Sequence, residues 1–281
     1  SFSPFFSCQL TKKPLNKGTF SNTPSFLTAQ ESKKPCPPSR FICYNGSMDP
    51  IIHFEEIDST NNYLKENCSS LAHGTIVTAD RQTAGRGRFN RRWISQDGGL
   101  YFSVLIKPQQ TDSWPNFTQL MGLSLCRAIE KLFPNTYLKW PNDVLADGKK
   151  LCGILSEGVL SGGRLEGMVI GTGVNVGQKA MPDVGQPATS LYMLGVRVDK
   201  SALMQDIMNY FWQDYPAVET HGFAAICEPY KKRFPFIGKQ ISVKNGEKPL
   251  SGTVQDVSSR GTLFLATADG PTEIYIGDLI V

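Results

Sequence analysis

The sequence predicts an α+β protein with a mixed, largely antiparallel sheet and flanking helices, followed by a small all-β segment. Its 281 residues suffice for one large domain, or for a large and a small one. Apolar residues make up 40%, which with ordinary Gly and Pro numbers excludes collagen-like and low-complexity classes. Most β-prone runs are joined by hairpin-length links, and such links favour antiparallel pairing.

The first 47 residues differ in composition from the rest. They are rich in Ser, Thr, Pro, Asn and Lys and carry six basic residues against one acid. The net charge of +4 therefore divides into +5 for residues 1–47 and −1 for residues 48–281. We expect 1–47 to be a disordered leader or a transit peptide, with a small accessory domain as a third alternative. The protein is then intracellular, in the cytoplasm or, with a transit peptide, in a chloroplast or mitochondrion.

Composition also limits the chemistry and the partners. No apolar stretch is long enough for a signal-peptide core or a membrane span, so no membrane partner is expected. The seven cysteines are scattered without a C-x-x-C pair, which indicates neither a disulfide framework nor a zinc site. Only three histidines are present, so few are available for a metal cluster or a Ser-His-Asp triad.

The elements of the body follow from local patterns. Asp58-Ser59-Thr60-Asn61-Asn62 offers caps for a short helix after the first strand. The run 99–106 is β-prone and apolar enough for a buried strand, and 117–132 has apolar residues at helical intervals. In order, the predicted strands are 51–57, 75–79, 99–106, 137–140, 144–145, 151–159 and 164–175, and the predicted helices are 58–67, 117–132, 200–215 and 222–233.

The C-terminal segment contains no helical pattern. From residue 237 onward, short β runs alternate with turns such as Asn245-Gly246 and Asp269-Gly270. The runs are 240–243, 250–257, 263–266 and 272–276. This spacing is typical of a small barrel, so we divide the ordered chain into a body over 48–233 and a β domain over 234–281.

The segment from Gln82 to Trp93 carries the clearest chemical signal. Its core, Gly85-Arg86-Gly87-Arg88, alternates glycines, whose backbone can approach a ligand, with guanidinium groups that bind phosphate oxygens. Arg91 and Arg92 follow within a few residues. A solvated basic turn and a Gly/Arg nucleic-acid-binding segment are the alternatives, although such segments usually repeat.

Three further segments are informative only in combination. In Lys139-Trp140-Pro141-Asn142-Asp143, the Asp143 carboxylate suits a magnesium ion or a ribose hydroxyl, or belongs to a plain turn. Lys150 enters a β run, where a lysine is usually solvated. Gly171-Thr172-Gly173-Val174-Asn175 lets a nucleotide approach the backbone but lacks the third glycine of a dinucleotide fingerprint.

In order along the chain, these motifs resemble those of the biotin–protein ligases, which include biotin–[acetyl-CoA-carboxylase] ligases and holocarboxylase synthetases. The matching motifs are Ser59-Thr60-Asn61, Gly85-Arg86-Gly87-Arg88 with Arg91 and Trp93, Lys139-Trp140-Pro141-Asn142-Asp143, Lys150-Leu151-x-Gly153-Ile154-Leu155, and Gly171-x-Gly173-x-Asn175. The resemblance covers about residues 54–281. It implies a class II synthetase-like catalytic domain and a C-terminal SH3-like β-barrel.

The resemblance also implies a reaction. Biotin and ATP, with Mg²⁺, form biotinyl-5′-AMP, and biotin then passes to a lysine of the biotin carrier domains of carboxylases. Two anions must meet in the first step, which requires fixed cationic groups rather than a nucleophilic triad.

Roles are implied residue by residue. The catalytic group would be Arg86, Arg88, Lys150 and Asp143, with Asp143 on either the Mg²⁺ side or the acceptor-lysine side. The biotin site would comprise Ser59, Thr60, Asn61, Gln82, Arg86, Gly87, Arg88, Lys150 and Gly153. The nucleotide site would comprise Arg88, Arg91, Trp93, Asn142 and Asn175.

The N-terminal segment differs from that of some family members, and three alternative functions are considered. Residues 1–47 are too short and too poor in apolar periodicity for the winged helix-turn-helix of the repressor members, so no DNA binding is expected. A lipoate–protein ligase or octanoyltransferase, a Gly/Arg nucleic-acid-binding module and an inert binding protein of the same fold are the rivals. Whether the protein is a monomer or a homodimer stays open.

Overall fold

The computed structural model describes residues 40–44, 47–109, 113–244 and 249–280. The main sheet has the order β1-β2-β3-β4-β8-β7-β6-β5, and each neighbouring pair is antiparallel except the parallel pair β2 and β3. Its strands are β1 (Arg40–Tyr44), β2 (Ser47–Ile57), β3 (Ile76–Gln82), β4 (Leu100–Ile106), β5 (Thr136–Lys139), β6 (Asp143–Ala146), β7 (Lys149–Ser161) and β8 (Arg164–Val174). The predicted mixed, largely antiparallel sheet is confirmed.

Helices cover both faces of the central strands. On one face, α1 (Thr60–Glu66) connects the parallel pair and buries Leu64 against Phe54 and Leu105. On the other face, α2 (Asn116–Glu130) and α3 (Lys200–His221) share one apolar cluster with the sheet. Because both faces are covered, all seven residues of β4 are buried, as its apolar sequence predicts.

The last predicted helix of the body is shorter than expected. α3 ends at Gly222, whose φ of 62° lies in the left-handed region that favours glycine. A 3₁₀ turn over Gly222–Ile226 follows, and only Cys227–Lys231 forms a further helix, α4. No helix in the described ranges is long and apolar enough to cross a bilayer.

The C-terminal segment forms a five-stranded antiparallel sheet in the order β12-β11-β10-β9-β13. Its strands are β9 (Gln240–Lys244), β10 (Pro249–Val257), β11 (Leu263–Thr267), β12 (Gly270–Ile274) and β13 (Asp278–Ile280). The prediction omitted β13, which is only three residues long. The apolar core is continuous between this sheet and the body, because Phe234, Phe236 and Val243 belong to the same cluster as α2 and α3.

One turn of the C-terminal sheet is bound directly to the body. The Gly261 carbonyl accepts hydrogen bonds from Trp140 Nε1 at 2.9 Å and Gln119 Nε2 at 2.7 Å. Asn116 Nδ2 donates to the Arg260 carbonyl beside it at 3.0 Å. These contacts fix where the sheet, including β13, lies relative to the body.

The start of the sheet corrects the expected leader boundary. The expectation assigned 1–47 to a disordered leader or transit peptide, but Arg40–Tyr44 forms a strand antiparallel to β2, with Phe41 opposite Ile52. The segment Arg40-Phe41-Ile42-Cys43-Tyr44 is a β-prone run that the overall polar composition of the leader conceals. The expectation for residues 1–39 lies outside the described residues.

Candidate active site

A cavity of about 430 Å³ lies over strands β7 and β8. Every residue proposed from the sequence as catalytic or ligand-binding lines this cavity. These residues are Ser59, Thr60, Asn61, Gln82, Arg86, Gly87, Arg88, Arg91, Trp93, Asn142, Asp143, Lys150, Gly153 and Asn175. The sheet thus gathers motifs that are distant in sequence into one site.

Glycines form the floor of the cavity. Gly153 on β7 is paired with Gly173 on β8, and Gly171 lies two residues earlier on the same face. A Cβ atom added to Gly153 would lie 2.7 Å from the Trp93 ring, and one on Gly173 would lie 2.5 Å from it. A Cβ on Gly171 would lie 2.1 Å from Asn61 Oδ1. Any larger residue would therefore displace the groups that contact the floor.

One end of the cavity, here called the polar end, is a network of uncharged side chains. Gln82 Oε1 accepts from Thr60 N at 2.9 Å and from Thr60 Oγ1 at 3.1 Å, and Gln82 Nε2 donates to Ser95 Oγ at 2.9 Å. The Thr60 and Ser103 hydroxyls lie 2.6 Å apart, and Ser103 Oγ donates to Asn61 Oδ1 at 2.6 Å. Thr60, Asn61, Ser95 and Ser103 are buried, so the network is held by the fold itself.

A second part of the cavity lining, here called the arginine end, is a hairpin-like loop over 85–93. Gly87 N donates to the Arg91 carbonyl at 2.7 Å, and Trp93 N donates to the Gly85 carbonyl at 2.9 Å. Phe89 at its tip is 57% exposed and has a φ of 55°, an uncommon conformation for a bulky residue. The loop is therefore closed at its base and exposed at its tip.

The first arginine of this loop is bound to Glu157, which the sequence did not indicate. Arg86 Nη2 lies 3.2 Å from both carboxylate oxygens of Glu157, which also accepts from Lys65 Nζ at 2.7 Å and Asn61 Nδ2 at 2.8 Å. Burial opposes ionisation of Glu157, but the Lys65 and Asn61 hydrogen bonds and the Lys65 and Arg86 charges hold its pKa below its usual value. The ionised Glu157 carboxylate thus links α1, the polar end and the loop.

Two of the remaining three loop arginines, Arg88 and Arg91, converge on Asp278, at the start of β13. Arg88 Nη1 donates to Asp278 Oδ1 at 2.9 Å, to the Gly277 carbonyl at 3.1 Å and to Asn142 Oδ1 at 3.1 Å. Arg91 also forms an ion pair with Asp278. Burial lowers the pKa of Arg88, although the Asp278 and Asp143 charges oppose that shift. A carboxylate of the C-terminal sheet therefore balances the charge of the arginine end.

Lys150 and Asp143 form a further ion pair in the lining of the cavity. Lys150 Nζ lies 2.8 Å from Asp143 Oδ1, yet among the described residues this buried oxygen has no hydrogen-bond donor in suitable geometry. The sequence placed Asp143 in a turn, but it is the first residue of β6, opposite Gly153. Burial also lowers the pKa of the neighbouring Lys139.

The two asparagines of the proposed nucleotide site are fixed by backbone carbonyls. Asn142 Nδ2 donates to Ile154 O at 2.8 Å, and Asn175 Nδ2 donates to Thr189 O at 3.0 Å. Thr189 N in turn donates to Lys150 O at 3.0 Å, so the segment after 181 forms a wall of the cavity.

This fold and cavity define the class of acyl-group protein ligases. Residues 53–175 match the model of the Biotin/lipoate A/B protein ligase family, and residues 236–280 match the Biotin protein ligase C terminal domain. The chain belongs to the biotin protein ligase family.

Individual relatives agree with this placement. The Bifunctional ligase/repressor BirA of Bacillus spizizenii is 34% identical over 237 residues, 82% of this chain and 73% of that protein. The biotin–[acetyl-CoA-carboxylase] ligase of Mycobacterium tuberculosis is 29% identical, with 79% and 85% covered. The structure of the biotin protein ligase from Aquifex aeolicus in complex with biotin and ATP has a TM-score of 0.73 and 32% identity, with 82% and 97% covered.

Proposed function

We propose that the protein is an ATP-dependent biotin–protein ligase that forms biotinyl-5′-AMP and transfers biotin to a lysine of the biotin carrier domains of carboxylases. The observation that carries this proposal is one cavity with a neutral polar end and a cationic arginine end, joined by a glycine floor. Biotin is a neutral polar ring system joined by a chain to a carboxylate, and ATP supplies the second anion. The polar end matches the neutral ring system of biotin, and the arginine end matches the anionic carboxylate and phosphate groups.

The biotin ring is proposed to bind at the polar end. Its ureido group has NH donors and a carbonyl acceptor, which the hydroxyl and amide groups of Ser59, Thr60, Asn61 and Gln82 complement. Thr60, Asn61 and Gln82 are already fixed by hydrogen bonds within their network, and the Ser59 hydroxyl accepts from Asn62 N at the start of α1, so little ordering is required on binding. The backbone of Gly87 and Gly153 would allow close approach of bound biotin.

The bond-forming step is proposed to occur among Arg86, Arg88 and Lys150. A carboxylate oxygen of biotin attacks the α-phosphorus of ATP, and the bond to the bridging oxygen of pyrophosphate breaks. The fixed cations stabilise negative charge shared by both reactants and need no proton transfer. In the second step the acceptor lysine amine attacks the acyl carbon, an amide forms, AMP leaves and the amine loses a proton.

The nucleotide is proposed to lie beside Trp93, Asn142 and Asn175. Trp93 would cover the adenine face, Asn175 would contact its edge, and Arg91 would contact the phosphates. For each arginine this requires an exchange of partners, because Arg88 and Arg91 contact Asp278 in the structure. Phosphate oxygens are suitable replacements because they offer the same paired acceptors as a carboxylate.

Asp143 is the residue proposed to hold Mg²⁺. Its Oδ1 is buried and lies 2.8 Å from Lys150 Nζ, so Mg²⁺ would share this oxygen with the ammonium group or replace that group. The described residues contain no cluster of three or more His, Cys, Asp or Glu suited to a metal. This donor set fits Mg²⁺, which commonly binds through one or two carboxylates and substrate phosphates. When bound, the ion would neutralise phosphate charge.

A mass measurement tests the proposal. The full chain is incubated with ATP, Mg²⁺, either biotin or lipoate, and a carrier domain, and the carrier is then weighed. We expect a mass gain by one acyl group with biotin only. A gain with lipoate alone would favour the lipoate ligase alternative, and no gain with either acid would contradict the function.

We also propose that the segment before Arg40 is an organellar transit peptide, which its basic, Ser-rich and acid-poor composition supports. Residues 1–39 fused to a fluorescent reporter should direct it to a chloroplast or mitochondrion. A chain beginning at Arg40 should retain carrier biotinylation, because it keeps the strand paired with β2. A diffuse reporter would contradict the targeting role.

A further inference from the structure

The side chain of Trp93 lies on the floor of the cavity. The indole covers the paired Gly153 and Gly173, with its Cζ3 atom above the first and its Cε2 and Nε1 atoms above the second. This patch of bare backbone admits a flat ring at van der Waals contact. Because the two glycines are on neighbouring strands, about 4.8 Å apart, the patch spans little more than one ring system.

The indole gains little polar stabilisation in this position. Its Nε1 atom is buried, and no acceptor within the described ranges binds it. Lys150 Nζ lies 5.6 Å from the ring centre. A buried donor without an acceptor makes the position less favourable than one in which the same N–H contacts water or a carbonyl.

The backbone at this point allows the side chain to move. Trp93 N is fixed to Gly85 O at 2.9 Å, at the base of the loop, so rotation about the side-chain bonds can remove the indole while the loop base stays closed. The floor that it would leave is adjacent to the polar end, since Asn61 covers Gly171 on the same strand.

We propose that Trp93 competes with the biotin ring system for the glycine floor, so that biotin must displace the indole before it binds. This inference rests on the proposed function and extends it. Trp93 then has opposite effects on two complexes. Its indole opposes the binding of biotin alone and, once displaced toward the nucleotide, stabilises the complex with biotinyl-5′-AMP.

Calorimetry on Trp93→Ala tests the competition. Without nucleotide, we expect Trp93→Ala to bind biotin roughly three- to tenfold more tightly than the unaltered protein, because the competing side chain is removed. The same variant should lose biotinyl-5′-AMP at least roughly tenfold faster, because the adenine cover is removed. Trp114→Ala is the matched control, since Trp114 is 38% exposed and outside this cavity. Biotin affinity that falls or stays unchanged in Trp93→Ala would overturn the proposal.

Tryptophan fluorescence supplies a readout independent of affinity. Biotin should shift the emission of the unaltered protein to longer wavelength and leave that of Trp93→Phe unchanged. Gly173→Ala adds a methyl group whose carbon would lie 2.5 Å from the indole, and should produce the same shift without biotin. Heat of biotin binding without an emission change would refute the competition alone. The absence of any heat of biotin binding would instead refute the proposed function.

Discussion

The two ends of the cavity are organised in different ways. The polar end is a set of neutral groups in which Thr60, Asn61, Gln82 and Ser103 are joined by hydrogen bonds within the main sheet and α1, and Asn61 also donates to Glu157. The arginine end is a loop whose charges are balanced by carboxylates from elsewhere, Glu157 on β7 and Asp278 on β13. The first end is complementary to a ligand as it stands. The second must exchange its partners for phosphates.

This difference predicts different responses to substitution. At the polar end, affinity for the neutral ring and folding stability depend on the same hydrogen bonds and should change together. At the arginine end, Arg86 and Arg91 are exposed and Arg88 is half-buried, so loss of one of these charges should affect the reaction more than folding. Four changes, in order of decreasing expected effect, test that distinction.

The largest effect is expected for Arg88→Ala. Because Arg88 is proposed to stabilise charge at the reacting phosphate, the rate of adenylate formation should fall by about 10²- to 10³-fold. Biotin-dependent pyrophosphate release measures this rate. Arg88→Lys should restore it only in part, because an ammonium lacks the planar fork of donors. The matched control is Arg197→Ala, whose exposed side chain stacks on Tyr192 outside the cavity. Full activity in Arg88→Ala would contradict the proposed role of the arginine end in adenylate formation.

Thr60→Val should affect stability and biotin binding together. It removes the hydroxyl partner of the buried Ser103 and one of the two donors to the half-buried Gln82 Oε1, which should reduce the free energy of unfolding by about 1–3 kcal/mol. Biotin affinity should fall by roughly tenfold or more, since about 1.4 kcal/mol corresponds to a factor of ten. Denaturant unfolding and calorimetry measure the two quantities. Lost stability with unchanged biotin affinity would show that the network is structural only.

Asp278→Asn should have a smaller effect, and it should strengthen apparent ATP binding rather than impair the reaction. The substitution weakens a competitor for Arg88 and Arg91, so the apparent KM for ATP should fall by about two- to fivefold, as expected for a partly exposed ion pair. The difference should decrease at high salt, which screens exposed charges. Asp269→Asn, in the exposed β11–β12 turn, is the control. A raised KM would instead mean that Asp278 positions the arginines for the nucleotide.

The smallest effect concerns Glu157 and pH. Its pKa in the folded protein lies below the usual value near 4.3. The ionised carboxylate therefore contributes stability above that usual value, and this contribution is lost as the pH falls through the lower folded-state pKa. The difference in Tm between the unaltered protein and Glu157→Gln should thus shrink as the pH falls below about 4.3, the usual value. Glu55→Gln, at an exposed position, should show no such trend.

The sequence predicted the residues that line the site better than the carboxylates that pair with them. The motifs from Ser59 to Asn175 are local runs of residues with recognisable chemistry, and each contributes residues to the lining of the cavity. Glu157 follows Arg86 by 71 residues, and Asp278 follows Arg88 by 190, so only the sheet topology brings each pair together. Glu157 offered one weak signal, as an acid within the apolar run of β7.

Element boundaries were least predictable where tertiary contacts decide them. The strand β1 lies in a polar leader and is defined by its pairing with β2. The strand β13 has only three residues and is defined by its pairing with β9. Neither is long enough for periodicity to distinguish it from a loop.

The continuous apolar core has a consequence for cooperativity. Phe234 and Phe236 pack against each other, and Phe236 contacts Tyr137 of β5, so the chain enters the C-terminal sheet through the interior of the body. The two parts should therefore melt in a single calorimetric transition rather than two. For the same reason, a chimaera that exchanges the C-terminal sheet with a relative should exchange Phe234 and Phe236 with it.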